Sequence, residues 1–503
     1  MSSEQVFDVI VVGSGGGALA AAHLATKHGL STAVVERTDK VGGTSAYSGG
    51  ACWLPGTQVQ ARLGIADSTE SARTYLGALL DDPDTAKVEA FLAEAPRLVA
   101  ELEEDELIEF EFTPFPEYYD RPGRVSGGRS IQPSNILRTD LPEQVDALLR
   151  PPVERDRQGQ GGRRTLSGGQ ALIGRLLAAF VRDGGTVLTG HTMTELTLDG
   201  DRVSGVVAQT EAGPVTLTAT RGVILASGGY EGSQERREAR GVAGSAAWTM
   251  APRGTNQGEP IDAAAAIGAA TGLLDEGWFC PGLAQPDGSG TFTLGFRSGV
   301  MLDADGQRYA NECLPYDRFG REMAADPKRI PSWFVFDNAE GGNLPAIAMP
   351  EGDHEAHFAA GTWITADTLE ELAEKLEMPS LPASVKRFNE FCETGVDEDF
   401  GRGADEYDTF FSFGTGANKA LNPVAVAPFY AARFVLSDLG TKGGVVTDAA
   451  ARALRPDGSV VEGLYATSNA TASLFGAYYP GPGAPLGSAM VFGSLAVRDI
   501  LGS

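Results

Sequence analysis

The residues best suited to chemistry lie near the end of the chain, in Gly476-Ala477-Tyr478-Tyr479-Pro480-Gly481-Pro482-Gly483-Ala484-Pro485-Leu486-Gly487-Ser488-Ala489-Met490. Its glycines and prolines fix a tight turn with exposed backbone, and the Leu-Gly-Ser-Ala-Met run predicts the first turn of a helix. A phenol at Tyr479 beside a bare N–H at Gly483 could polarise a ketone, because two donors aimed at one oxygen stabilise the charge that develops there. The helix N-terminus just beyond could rest against negative charge on a reduced ring. Alone, the segment would read as a Pro/Gly hairpin with an incidental tyrosine. The elements that must position it decide between the two readings.

Those elements begin at the N-terminus. Residues 7–12, Phe-Asp-Val-Ile-Val-Val, predict a short apolar strand, and Gly13-Ser14-Gly15-Gly16-Gly17-Ala18 follows at once, with a helical pattern over 18–27. This is G-x-G-x-x-A, the dinucleotide fingerprint: Gly13 permits the tight turn, and Gly15 lets the backbone approach a pyrophosphate. A second strand at 32–35 ends in Glu36, whose carboxylate can accept from ribose hydroxyls. The next glycine loop, Val41-Gly42-Gly43-Thr44-Ser45-Ala46-Tyr47-Ser48-Gly49-Gly50, offers further bare N–H donors and room for a flat ring, which favours FAD over NAD.

Bulk properties narrow the field. A chain of 503 residues with 42% apolar content can bury more than one core. A net charge of −27 argues against nucleic acid or an anionic membrane as partner. No run approaches the roughly 20 apolar residues of a spanning helix, and Met1-Ser2-Ser3-Glu4 lacks signal-peptide character, so a cytoplasmic protein without a transmembrane segment is expected. The cysteines, Cys52, Cys280, Cys313 and Cys392, are far apart, and neither a disulfide framework nor a metal site is indicated.

Along the chain, residues 56–111 predict helices, with the acidic run 101–111 as a solvated helix face. Phe115-Pro116-Glu117-Tyr118-Tyr119 reads as exposed aromatics and 151–164 as a surface loop. Ser167-Gly168-Gly169 opens a helix to about 181, 186–188 is a strand, and 193–198 with 202–207 forms a hairpin around Asp199-Gly200. A strand over 222–226 leads into Ser227-Gly228-Gly229, and 254–258 is a further phosphate-reaching loop. Residues 274–436 carry many aromatics and no nucleotide motif, as expected of an insert, and 437–503 rejoins the first part at 1–273.

With these residues in view, the chain resembles the fumarate reductase/succinate dehydrogenase flavoprotein superfamily, and within it the 3-ketosteroid Δ1-dehydrogenases. The broader likeness rests on the N-terminal fingerprint, Gly42-Gly43-Thr44-Ser45, the run Gly306-Gln307-Arg308-Tyr309-Ala310-Asn311-Glu312, and Gly463-Leu464-Tyr465-Ala466. The narrower one rests on Phe115 to Tyr119, Asn311-Glu312-Cys313-Leu314-Pro315-Tyr316, Leu439-Gly440-Thr441-Lys442-Gly443-Gly444 and Tyr479-Pro480-Gly481-Pro482-Gly483. The resemblance implies an α/β chain in which a Rossmann-like FAD-binding domain is interrupted by an α+β substrate domain. It also implies catalytic elements at Tyr118, Tyr316, Tyr479 and Gly483, Tyr118 being chosen over Tyr119 as the first of the pair after Phe-Pro-acid. Non-covalent FAD is implied, held by Gly13, Gly15, Gly16, Gly17, Ala18, Glu36, Gly42, Gly43, Thr44, Ser45, Ser48, Gly49, Gly50, Gly228, Gly229, Asn469, Pro485 and Leu486. Trp53, Phe115, Phe292, Ile347 and Pro485 are candidate walls for an apolar steroid, and ordinary core packing is the competing reading for each.

The implied reaction suits these residue types. Tyr479 and Gly483 would bond the C3 oxygen of a 3-ketosteroid, Tyr316 would take the C2 proton with help from Tyr118, and the C1 hydride would pass to FAD. The electron acceptor is unidentified, a quinone being one candidate. A fumarate or succinate enzyme is the nearest rival, but that branch carries a histidine in a His-Thr-x-Gly-Gly-type segment where this chain has Gly440-Thr441-Lys442-Gly443-Gly444, and a FAD-linking histidine where it has Thr44, Ser45, Ala46 and Tyr47. Another cyclic ketone would be served by the same logic. A non-catalytic electron-transfer subunit would leave the three tyrosines unexplained.

Overall fold

The structure, a computed structural model, describes residues 5–502. The backbone divides into two compact units: Met1–Val242, Ala251–Glu276 and Gly440–Ser503 form the first, and Ala243–Met250 with Gly277–Leu439 the second. Residues 243–250, expected in the first unit, belong to the second because they bond its long strand, Phe429–Thr441. Met250 N–H donates to Asp438 O at 2.9 Å, Thr249 Oγ1 to Asp438 Oδ1 at 2.6 Å, and Ser437 Oγ to Trp248 O at 2.6 Å.

The first unit is built on an eight-stranded sheet. Gln5–Val12, buried over its last four residues, pairs in parallel with Thr32–Val35 on one side and Gly213–Leu225 on the other. Thr186–Leu188 and Val460–Ala466 extend this parallel part, while Thr192–Asp199, Arg202–Thr210 and Arg452–Leu454 add antiparallel strands. The loops after Val12, Val35, Leu225 and Ala466 therefore leave the same end of neighbouring parallel strands. Those loops contain Gly13, Glu36, Gly228 and Asn469. Segments far apart in sequence are thus brought to one edge, the usual ligand position of an open parallel sheet.

Two helices cross behind the fingerprint. Gly16–Lys27 begins directly after the glycine turn, two residues earlier than the apolar pattern predicts, because glycines weaken that pattern without preventing the fold. Ala484–Gly502 is, contrary to the expectation from run length, long and apolar enough to cross a membrane by composition, yet 61% of its window is buried within the protein. It packs on the first helix so closely that a Cβ on Gly17 would stand 2.7 Å from Ala489 O. Gly17→Ala is expected to destabilise the chain by about 1–3 kcal/mol through overpacking, read from a lower urea midpoint with an unchanged slope.

The helical stretch 56–111 resolves into Gln58–Arg62, Thr69–Leu79 and Thr85–Leu102, followed by the strand Phe110–Phe112. The acidic run is thus not one solvated helix face. Asp105 is buried and bound by both terminal nitrogens of Arg182 at 2.9 and 2.6 Å, beside a fully buried His23 that burial holds below its ordinary pKa. Arg182 also donates to Asp183, so one guanidinium bridges the two carboxylates nearest His23. Residues 151–164 are loop except for one turn, Val153–Asp156. All four cysteines are free.

The second unit is a seven-stranded sheet in the order Val300–Leu302, Ser332–Phe336, Phe429–Thr441, Gly277–Ala284, Gly290–Leu294 and Ile347–Met349, with Trp363–Ala366 also on Phe429–Thr441. The helix Leu381–Thr394 buries Leu381, Val385, Phe388 and Phe391 in a core shared with Val300, Leu302 and Val335. The helix Tyr316–Ala324 lies on Gly277–Ala284, where Gly320 permits contact: a Cβ there would be 2.7 Å from Cys280 N.

Candidate active site

The 476–483 turn is held by its carbonyls. Tyr75 Oη and the Tyr118 N–H both donate to Pro480 O, at 2.7 and 3.1 Å. Ser130 Oγ donates to Pro482 O at 2.6 Å, Trp53 N–H to Gly483 O at 3.1 Å, and Lys442 Nζ to Ala477 O at 2.8 Å and Tyr478 O at 3.2 Å. Prolines at 480, 482 and 485 have no N–H to compete, so acceptors face the protein body. Gly483 sits at φ +82° and accepts the first bond of the C-terminal helix, Gly487 N–H to Gly483 O at 2.9 Å. Among the described residues none accepts from the Gly483 N–H. A Cβ at Gly483 would stand 2.0 Å from Ala51 O, so only glycine fits.

Tyr479 is buried, and its ring meets that of Tyr118 at 5.1 Å and 60°. Tyr118 is itself buried, with Phe115 at 6.3 Å. Tyr119 turns elsewhere, 5.8 Å from the ring of Tyr478, which distinguishes the two neighbours. The segment 115–119 is therefore not an exposed aromatic patch: Glu117 and Tyr118 are among its buried residues, drawn in by a polar cluster.

Nothing in the sequence pattern announces that cluster. The Glu117 carboxylate accepts from Trp53 Nε1 at 3.0 Å, Arg129 Nε at 2.6 Å, Arg129 Nη2 at 3.2 Å and Val125 N–H at 2.9 Å. Arg129 reaches on to Asp67 at 2.9 Å and is fully buried. Burial pushes the Glu117 carboxyl up, against the pull of Arg129. Trp53, expected as a pocket wall, is fully buried, stacked on Phe91 at 5.9 Å and edge-on to Phe475. It supports the turn from beneath and presents no surface to a ligand. Arg129→Met strands two buried carboxylates and is expected to cost about 3–5 kcal/mol, measured by denaturant unfolding.

Tyr316 lies on the second unit. It is the first residue of its helix, after Pro315, and is buried with its ring edge-on to Phe292 at 4.8 Å and 87°. Phe292 pairs with Met349 and Leu294 with Ile347, so Phe292 and Ile347 share one face of adjacent strands; Ile347 is 39% exposed. The segment leading to Tyr316 is pinned by charge. Glu312 accepts from Arg308 Nη2 at 2.8 Å and Arg402 Nη1 at 3.1 Å, and Asn311 Nδ2 donates to Asp408 at 2.9 Å. Burial would raise the Glu312 carboxyl, but Arg308 and Arg402 hold it below the usual range.

The fingerprint residues fit a dinucleotide. Gly13, at φ +103°, would place a Cβ 2.4 Å from Ala226 O, so the turn is open to glycine alone. Gly15 caps the first helix without a side-chain bond, leaving first-turn N–H groups aimed outward beside Ala18, while Ser45 Oγ takes that of Gly16 at 3.1 Å. Glu36 accepts from Ser14 Oγ at 2.5 Å and from Thr38 N–H and Oγ1, both at 2.9 Å, with accepting capacity left. Added Cβ atoms on Gly43 and Gly49 would meet open space, as a flat ring's cradle requires. A Cβ on Gly50 would instead stand 2.4 Å from Gly168 C, and one on Gly42 2.8 Å from Ala46 Cβ, so those two shape the loop. Ser48 Oγ bonds Ser45 O at 2.7 Å, closing it.

The remaining members gather around one edge. Asn256 Nδ2 lies 3.4 Å from Thr44 Oγ1 and 2.6 Å from where Gly228 would carry a Cβ. The corresponding position on Gly229 is 1.9 Å from Thr441 Oγ1, and that on Gly440 is 2.1 Å from Asn469 Nδ2. Leu486, one residue past Pro485, packs 3.1 Å from the same position on Gly16. Sequence reasoning does not single out Asn256 and Thr441 as site residues; the glycines beside them are the only signal.

Comparison with known proteins gives the family. The family model described as an FAD binding domain matches residues 8–486. A 3-oxosteroid 1-dehydrogenase of Rhodococcus opacus is 38% identical over 98% of both chains. A 4-oxocyclohexanecarboxylate 2-dehydrogenase of Sinomonas cyclohexanicum is 34% identical over 99% of this chain and 93% of its own. The crystal structure of a 3-ketosteroid Δ1-dehydrogenase from Sterolibacterium denitrificans, in complex with 1,4-androstadiene-3,17-dione, superposes with a TM-score of 0.91 at 30% identity, covering 99% of this chain and all of that one. The chain belongs to the FAD binding domain family of flavoproteins, in the branch that holds the 3-oxosteroid 1-dehydrogenases.

Proposed function

We propose that this flavoprotein introduces a C1–C2 double bond into 3-ketosteroids, and that its first unit is a Rossmann-like FAD-binding domain interrupted by an α+β substrate domain. One observation carries the reading: a single pinned turn bears both Tyr479, packed on Tyr118, and a Gly483 N–H that no described residue takes up. FAD would be held by Gly13, Gly15, Gly16, Gly17, Ala18, Glu36, Gly42, Gly43, Thr44, Ser45, Ser48, Gly49, Gly50, Gly228, Gly229, Asn469, Pro485 and Leu486.

The ketone makes C2 acidic, and the chain supplies what the acid step needs. Tyr479 Oη and Gly483 N–H donate to the C3 oxygen as enolate charge grows, each such donor contributing about 3–4 kcal/mol. Tyr316 accepts the C2 proton. A phenol ionises near pH 10 in water, so the base needs help near neutrality, and Tyr118 is assigned that assisting role. Bound FAD supplies the acceptor for the hydride that leaves C1. Phe115, Phe292 and Ile347 offer apolar surface to the ring system.

The test is anaerobic titration of the purified flavoprotein with androst-4-ene-3,17-dione, with 4-oxocyclohexanecarboxylate and succinate in parallel. Bleaching of the visible flavin band by the steroid, with a product lighter by two hydrogens, is the expected result. Bleaching by the monocyclic ketone or by succinate alone would replace the substrate class.

A further inference from the structure

We infer that Lys442 is a positioning residue for enolate stabilisation: its buried ammonium clamps the carbonyls of Ala477 and Tyr478, immediately before Tyr479, and sets a fixed positive charge behind the donor that meets the ketone oxygen. The inference rests on the proposed 3-ketosteroid reading.

Lys442 is fully buried, and its Nζ lies 2.8 Å from Ala477 O and 3.2 Å from Tyr478 O. Its backbone cannot shift to release it. The Lys442 N–H donates to Glu276 O at 2.9 Å, and its own carbonyl accepts from Ser473 N–H at 3.0 Å. The flanking glycines are wedged, since added Cβ atoms on Gly443 and Gly444 would fall 2.3 Å from Leu273 O and 2.2 Å from Ala470 O. A charged donor makes hydrogen bonds about twice as strong as a neutral one. It therefore does two things that a neutral side chain of the same length would not. It orients two successive peptide groups, and it places charge in a medium that screens poorly. The Tyr478 carbonyl belongs to the peptide bond that carries the Tyr479 N–H, so the clamp acts through Tyr479. Such a device favours an anion over a neutral ketone, which is the discrimination that catalysis through an enolate needs.

The experiment compares two ligands on the FAD-loaded enzyme. One is a neutral 3-ketosteroid; the other is a steroid whose phenolic A ring carries fluorines ortho to the hydroxyl, so that it ionises well below the lysine and tyrosine range and its phenolate mimics the enolate. Dissociation constants are read from perturbation of the flavin spectrum, and turnover is measured with an artificial electron acceptor. In Lys442→Met, phenolate binding is expected to weaken at least about tenfold more than ketone binding, with kcat falling about 10–100-fold and FAD content unchanged. Lys442→Arg, which keeps the charge, should retain the phenolate preference, and it serves alone if the methionine variant does not fold. Equal loss for both ligands, or loss of the preference in a folded Lys442→Arg protein, would overturn the inference. Failure of the wild-type enzyme to dehydrogenate the ketosteroid would instead overturn the functional reading on which it rests.

Discussion

Tyr316→Phe is expected to give a protein that carries full FAD and binds 3-ketosteroid but desaturates it at least about a thousandfold more slowly, within the range that a positioned general base contributes. The substitution is conservative for the fold. The ring would keep its edge contact with Phe292 at 4.8 Å, and the helix Tyr316–Ala324 would still start after Pro315. Only the phenolic oxygen is lost. Because proton removal from C2 precedes or accompanies loss of the C1 hydride, removing the base stops both. The readouts separate the steps: flavin absorbance reports loading, ligand perturbation of that spectrum reports binding, and anaerobic bleaching reports chemistry. Near-normal bleaching in Tyr316→Phe would remove this residue as the base. Tyr118→Phe then becomes the informative companion, because a residue that only assists the base should shift the pH profile of kcat upward without abolishing turnover.

Much of this site is legible in the amino-acid sequence, and the reasons are local. Gly13 needs a positive φ and tolerates no Cβ, so a strand followed by glycines in register has few readings. The same holds for Gly483, which both caps a helix and abuts Ala51. What stays hidden is what depends on partners distant in sequence. Glu117 reads as one acid among exposed aromatics because nothing nearby reveals Arg129 and Asp67, and the pattern at 115–119 has no clean period of its own. Trp53 reads as a pocket wall by type alone, whereas its Nε1 bond to Glu117 and its stack on Phe91 make it a support. Lys442 is visible only as one member of Gly440-Thr441-Lys442-Gly443-Gly444, a segment that lacks the histidine of the rival branch. Its target, two carbonyls 35 and 36 residues further along, is not. The run 306–312 carries a family likeness, and only the folded chain shows its work: Glu312 with Arg308 and Arg402 fixes the approach to Tyr316.

Tyr479→Phe should lower kcat/KM for a 3-ketosteroid by about 100- to 1000-fold, the usual cost of one oxyanion donor. The ring contact with Tyr118 at 5.1 Å and the carbonyl bonds of the turn do not involve the lost hydroxyl, so stability and FAD content should change little. The partition of the loss tests the role. A hydroxyl that only bound the ground-state ketone would raise KM and leave kcat alone. One that stabilises developing enolate charge must lower kcat as well, because the bond strengthens as the oxygen gains charge. Gly483 provides the second donor and keeps some residual rate in the variant. It cannot be removed by the ordinary route, since Gly483→Ala drives a Cβ to within 2.0 Å of Ala51 O and shifts the turn itself. The clean comparison is therefore Tyr479→Phe alone against Tyr479→Phe with Lys442→Met. If the lysine acts through the tyrosine, the second change should cost less in the absence of the hydroxyl than in its presence, and strict additivity of the two losses would show that they act separately.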